Sequence, residues 1–131
     1  GFLPDVSGFK NLQYLASIHK IPKENIICAM NDVGLDSKNK QHVRHYSMGM
    51  RQRLGIAQAI MEDPALLILD EPLNGLDKHG VREMRQLIKG LKEQGKTILL
   101  ASHNQGDIDE LCDTVCEMDA GVMTMIREES I

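Results

Sequence analysis

Tyr46-Ser47-Met48-Gly49-Met50-Arg51-Gln52-Arg53, running on to Leu66-Leu67-Ile68-Leu69-Asp70-Glu71-Pro72, is the stretch that decides the fold. Ser47 can accept a hydrogen bond from a backbone N–H one turn on, which predicts a helix N-cap. Met50, not Glu or Gln, stands at the third position after it, so there is no capping box. Leu54, Ile56, Ala57, Ile60 and Met61 recur at helical spacing and predict a helix from about Met48 to about Glu62. Asp63-Pro64 stops it, because proline disfavours the helical conformation of the residue before it. Leu66 to Leu69 is apolar without alternation, which predicts a strand buried on both faces, as in a parallel sheet. Two adjacent acids close the strand, and Pro72 terminates it.

Those acids, Asp70 and Glu71, are the first functional candidates. Open parallel sheets bind ligands just beyond the carboxyl ends of their strands, and carboxylates are rarely buried without a partner. A hydrated divalent cation and a polarised water would serve this pair. A solvated turn is the plainer account of an isolated Asp-Glu.

Working outward, Lys78 to Gln94 carries Val81, Met84, Leu87, Ile88 and Leu91 at helical spacing. Asp77 is placed to be its N-cap and Gly95 to close it. Thr97 to Ala101 has the pattern of a second buried strand, followed by Ser102-His103. Gln105 to Cys112 reads as a short helix. Thr114 to Met118 and Val122 to Ile126 read as a hairpin joined at Asp119-Ala120-Gly121. On the amino side, Gly1 to Gly8 is a loop by its Gly and Pro content. Asn11 to Lys20 is expected to be helical, with Leu12, Leu15, Ala16 and His19 on one face. Pro22 suits the first turn of a next helix, whose apolar side is Ile26, Ile27, Met30 and Val33 and whose terminator is Gly34. Asp36 to Lys40 is a polar connector.

Composition bounds the rest. A chain of 131 residues is one domain's worth and can bury roughly two thirds of its extended surface. The net charge of −4 argues against nucleic acid as a partner. Three cysteines without a Cys-x-x-Cys pair argue against a disulfide framework or zinc site; Cys112 and Cys116 are read as core residues. No apolar run reaches the ~20 residues of a membrane span. With only two Tyr and two Phe, the core must be aliphatic and methionine-rich.

The order of elements closely resembles the second half of the ATP-binding-cassette (ABC) ATPase family, from about Gly1 to about Met125. Tyr46-Ser47-Met48-Gly49-Met50 sits where that family has its signature motif. Leu66 to Asp70 looks like the Walker B strand, with Glu71 the glutamate that follows. Asn74-Gly75-Leu76-Asp77 resembles the D-loop, and Ser102-His103 the switch histidine. The resemblance implies an α/β fold: a helical subdomain with the signature helix over residues 1–62, and over 63–131 the carboxyl half of a P-loop NTPase (RecA-like) parallel-sheet core. It implies ATP and Mg2+, with Asp70 holding the metal through water, Glu71 polarising the attacking water and His103 contacting the γ-phosphate. Asp77 would reach across a dimer interface. Ser47, Met48, Gly49 and Met50 would meet the nucleotide of a second ATPase subunit in a head-to-tail dimer, a role with a physical basis because a helix N-terminus offers free N–H groups to an anion. The partner implied is a transmembrane permease, and the location is the cytoplasmic face of the cell membrane. Phe2, Phe9 and Tyr14 would either touch that permease or belong to the core, which is the expectation for each taken singly.

Two departures matter. Met48 and Met50 replace a Gly and the Gln of the family's usual Leu-Ser-Gly-Gly-Gln. The Ser-x-Gly-Met form followed by Arg-Gln-Arg-Leu resembles exporters of the bacitracin- and lantibiotic-resistance type. No Gly-x-x-x-x-Gly-Lys-Ser/Thr occurs in the chain, so the phosphate-cradling loop is absent. The chain is therefore expected to be a fragment beginning just after the Q-loop, inactive alone, and prone to self-association or strand rearrangement where the family has its phosphate-loop strand. Alternatives are a soluble superfamily ATPase of translation or repair, and a non-catalytic partner-binding module.

Overall fold

Ser7 starts the first helix. Its hydroxyl accepts from Lys10 N at 3.2 Å and caps α1, Gly8–His19, which begins a turn earlier than the apolar spacing predicts. The cause is Asn11, a buried polar residue. Its side chain accepts from Leu3 N at 2.7 Å and donates to the carbonyls of Leu3 and Ser7, folding the amino-terminal loop back onto the helix. A computed structural model describes residues 1–128. In it α2, Lys23–Asp32, follows Pro22, which occupies the cap position rather than the first turn. Gly34 ends α2 with φ +79°, and Leu35 N–H reaches back to Met30 O at 2.8 Å, a glycine-dependent helix stop. The polar connector leads to a short 3-10 turn, Val43–His45, tied to the loop by Val43 N–H to Val6 O.

The helix α3, Met48–Ile60, is the hub. Leu54, Ile56 and Ala57 are buried along it. It packs against α2 and against the strand β1, Leu66–Asp70. The helix stops two residues short of the expected Glu62, with Asp63 in the left-handed region at φ +52° before Pro64. One apolar cluster runs from Leu12 and Met30 through Leu54 and Ala57 to Leu69, Met84, Ile88 and Leu111, so amino- and carboxyl-side elements share a core. Arg53 reinforces the junction: its guanidinium donates to Val33 O at the end of α2 at 2.7 Å and to Glu83 Oε1 at 3.3 Å.

From β1 the chain passes through α4, Lys78–Glu93, to β2, Thr97–Ala101. The two strands pair in parallel, Leu66 opposite Thr97 through Asp70 opposite Ala101, as a β-α-β crossover requires. Next come α5, Gln105–Leu111, and the antiparallel hairpin β3, Thr114–Asp119, with β4, Val122–Glu128. Its tight turn places Ala120 and Gly121 at φ +49° and +80°, the two positive values a two-residue hairpin needs. Among the described residues the hairpin does not pair with β1 or β2.

Three expectations are corrected. β1 is buried on one face, not two: Leu67 and Leu69 face inward, while Leu66 and Ile68 are 53% and 66% exposed. The reason is layering. α3 covers one face of the two-stranded sheet, and Leu99 of β2, 60% exposed, shows the other to be bare. Tyr14 is a surface residue at 62% exposure, while Phe2 and Phe9 pack against the edge of the core. Cys116 is exposed in the hairpin, where both faces meet solvent, and only Cys112 is partly buried; burial pushes the Cys112 thiol above its ordinary pKa. The bare face of Leu66, Ile68 and Leu99 and the unpaired strand edges favour association. The 131-residue chain purified alone is expected to sediment as more than a monomer, and Ile68→Lys with Leu99→Lys to shift it toward the monomer.

Candidate functional site

The parallel register brings the carboxyl ends of β1 and β2 side by side, and the candidate residues collect there. The ladder continues one residue past β1: Glu71 N–H donates to Ala101 O at 2.7 Å. Glu71 itself is left-handed, φ +45°. For a residue with a side chain this conformation costs roughly 1–2 kcal/mol, and it persists only where surrounding contacts impose it. Its carbonyl accepts from Asn74 N at 3.2 Å and from Gln52 Nε2 at 2.7 Å. Its carboxylate oxygen Oε1 accepts from His103 N at 2.8 Å and lies 3.7 Å from His103 Nε2. The backbone twist thus turns the side chain of Glu71 across to the end of β2. Oε2 makes no hydrogen bond or ion pair among the described residues, so one oxygen is oriented and the other open.

Asp70, the last residue of β1, is exposed, and among the described residues its side chain has no hydrogen-bond or ion-pair partner. Among the described residues no set of three or more His, Cys, Asp or Glu side chains clusters to make a metal cage there. A single free carboxylate beside a phosphate site is nevertheless what magnesium uses, since it keeps most of its waters and takes its remaining ligands from substrate. Asp70 fits that requirement.

The second half of the site is the start of α3. Ser47 Oγ accepts from Met50 N at 3.1 Å, so the serine is a cap, and the first-turn N–H groups of Met48 and Gly49 are left without intrahelical partners. No acid occupies that turn, so its positive end is unopposed. The Tyr46 ring, buried beside Gly8, anchors the residue before the cap. Burial pushes its phenol pKa up, partly offset by a hydrogen bond with the Gly8 backbone.

The segment 71–77 joins these halves. Gly75, at φ +84°, lies under Met48, and a Cβ built there would come within 2.7 Å of Met48 Sδ; one on Gly49 would meet Leu76 Cδ2 at 3.5 Å. Asp77 Oδ1 accepts from Gly80 N at 2.7 Å, the N-cap of α4. On the far side, the loop carrying His103 is fastened by α5. Asn104 caps that helix, and the buried Asp107 takes a forked bond from Arg85 of α4, 3.0 Å from Nε and 2.7 Å from Nη2.

The structure therefore brings Asp70, Glu71 and His103 to one strand-end rim, and places Met48 and Gly49, flanked by the Ser47–Met50 cap bond, against the loop that ends in Asp77. Sequence reading missed Gln52, Arg85 and Asp107. Gln52 stands in the quoted Arg-Gln-Arg run, whose polarity within a core helix was a usable signal. Arg85 and Asp107 carry no signal in a single sequence, because their pairing spans 22 positions.

A capped helix start, a strand ending at Asp70 with Glu71 after it, and a histidine loop beside it lie in the order that the family resemblance implies. Residues 2–74, more than half of the chain, match the ABC transporter family, and the chain belongs to that family. It is 46% identical over 122 residues to an ABC transporter ATP-binding protein, YdbJ, of Bacillus subtilis, covering 92% of this chain and 40% of that protein. It is 42% identical over 123 residues to the bacitracin transport ATP-binding protein BcrA of Enterococcus faecalis, covering 92% and 40%. It is 36% identical over 124 residues to the lantibiotic transport ATP-binding protein SrtF of Streptococcus pyogenes, covering 95% and 54%. The chain thus spans about half the length of the curated relatives it matches. No helix among the described residues is long and apolar enough to cross a membrane.

The contact of Gly75 with Met48 is testable. Gly75→Ala would set its Cβ against the flexible Met48 side chain, which is exposed and can move aside, so its cost is that of the positive φ, as for Gly95→Ala at φ +92° with open space around it. In urea unfolding each is expected to destabilise by about 1 kcal/mol.

Proposed function

We propose that this chain is part of the ATP-hydrolysing subunit of an ABC transporter that exports antibiotics or peptides. One observation carries the reading: Glu71, held left-handed at the end of β1, turns its carboxylate onto the backbone and ring of His103 at the end of β2. The names of the bacitracin and lantibiotic relatives support export of that class of substrate. In this reading residues 1–62 are the helical subdomain and 63–131 the carboxyl part of a P-loop NTPase (RecA-like) core. The partners are a transmembrane permease and a second ATPase subunit in a head-to-tail dimer. The location is the cytoplasmic face of the membrane.

The chemistry assigned to each residue follows from its position. Glu71 holds a water with its open oxygen and withdraws its proton as that water attacks the γ-phosphorus of ATP, while the bond to the β,γ-bridging oxygen breaks and ADP leaves. His103, whose ring is solvent-exposed in the isolated chain, contacts the same phosphate and keeps Glu71 aimed. Asp70 would hold magnesium through water. The chemistry a bound magnesium supplies is charge neutralisation on the phosphate oxygens. The N–H groups of Met48 and Gly49, with Ser47 and Met50 shaping the turn, present a positive helix end to the nucleotide of the second subunit. Asp77, through the carboxylate oxygen not used in its cap, reaches across the same interface.

Two substitutions in the full-length subunit test this. Glu71→Gln preserves shape and removes the base. ATP binding is expected to survive while turnover falls by about 100-fold or more, measured by phosphate release; hydrolysis at the unmodified rate would remove Glu71 from the chemistry. Gly49→Asp places a carboxylate where the γ-phosphate of the partner's ATP would lie. The position has room for a Cβ, and an acid at a helix N-terminus is locally stabilising, so folding should be intact. ATP-driven dimerisation of the Glu71→Gln background, followed by light scattering, is expected to be lost through like-charge repulsion.

A further inference from the structure

We infer that Gln52 is a positioning residue for Glu71, tying the helix that carries Ser47 and Gly49 to the carboxylate at the end of β1. This rests on the assignment of Glu71 proposed above. Glu71 adopts a conformation that non-glycine residues avoid, and three groups impose it. Ala101 O holds its N–H, His103 N holds Oε1, and Gln52 Nε2 holds its carbonyl from the side of α3. The first two belong to the strand pair and its loop. Gln52 is the one that comes from the signature-like helix.

Its bond is short, 2.7 Å, and half-buried. Asn74 N–H already donates to the same carbonyl from within the turn, so the carbonyl has a partner without Gln52. What the Gln52 amide adds is a second, long-range constraint. It fixes the peptide after Glu71 against a helix whose own first turn, three to four residues earlier, packs on Gly75 and Leu76 through Met48 and Gly49. The Glu71–Leu76 loop is therefore clamped by α3 at two points, its first carbonyl and its Gly75-Leu76 end. If α3 shifts when its N-terminus meets a nucleotide, the carbonyl of Glu71 is carried with it. A carboxylate that must sit within hydrogen-bond reach of an attacking water is sensitive to displacements smaller than an ångström.

Full-length subunit, assembled with its permease, provides the test. Gln52→Met keeps length and removes the donor; Gln52→Lys keeps a donor on an unbranched stem. Gln52→Met is expected to lower kcat for ATP about two- to twelvefold, the range of one lost hydrogen bond. KM, nucleotide affinity and thermal midpoint should stay near those of the unmodified protein, and Gln52→Lys should recover most of the rate. An unchanged kcat in Gln52→Met overturns the inference. So does a joint fall of kcat, affinity and thermal midpoint that Gln52→Lys fails to restore, since that marks a merely structural amide. Glu71→Gln run in parallel separates the two claims. Normal turnover there removes the assignment of Glu71 itself, whereas loss of turnover there with an unaffected Gln52→Met removes only the role of Gln52.

Discussion

The parallel ladder between β1 and β2 is the constraint on which the site depends. Its register ends both strands at the same level, Asp70 opposite Ala101, and its last bond runs from Glu71 N–H to Ala101 O. A shift of one residue would turn Leu67 and Leu69 outward and bring Leu66 and Ile68 inward. It would also separate Glu71 from His103. The apolar burial beneath Leu67 and Leu69 therefore sets the position of a carboxylate that contributes nothing to that burial. The geometry of the candidate site is inherited from core geometry, and the left-handed backbone at Glu71 is the point where one is converted into the other.

α3 serves a second purpose besides covering that sheet. Its apolar residues enter a core shared with α1 and α2 on one side and with α4 and α5 on the other. Its polar residues hold the neighbours in place: Gln52 on the Glu71 carbonyl, Arg53 on the end of α2 and on Glu83 of α4. Polar groups at the margin of a core are costly unless satisfied, and both of these side chains find specific partners. The helix is thereby fixed in rotation as well as in position, which determines where its first-turn N–H groups point.

α4 plays the matching part for the other rim. Asp77 starts it, and Arg85, two turns along, grips the buried Asp107 at the start of α5. Removing one partner of such a pair leaves a charge without compensation in a poorly solvated place. A helix that begins at the loop ending in Asp77 thus ends up holding the segment that carries His103. The two rims of the site, one built on α3 and one on α4 and α5, meet at Glu71, where Gln52 holds the carbonyl and His103 N–H holds the carboxylate.

Local chemistry was readable in the sequence. Ser47, Asp77 and the stops at Gly34 and Gly95 act within a turn or two of chain, and the capping serine and aspartate stand where their residue types predicted. The strands Leu66–Asp70 and Thr97–Ala101 and the hairpin at Ala120-Gly121 also followed from short-range pattern. The candidate residues Asp70 and Glu71 were legible because a strand end announces itself by a change from apolar to polar, whereas His103 was singled out by the family resemblance. Burial was less so. Leu66, Ile68 and Leu99 have the composition of a doubly covered sheet, and nothing in a strand's own sequence states whether a second layer is present. Asn11, Gln52, Arg85 and Asp107 could be understood only in three dimensions, because each acts through a partner whose distance in the chain is set by the fold. Residue type determined which groups could hold a backbone or a charge; only tertiary packing decided which of them came within hydrogen-bond reach of one another.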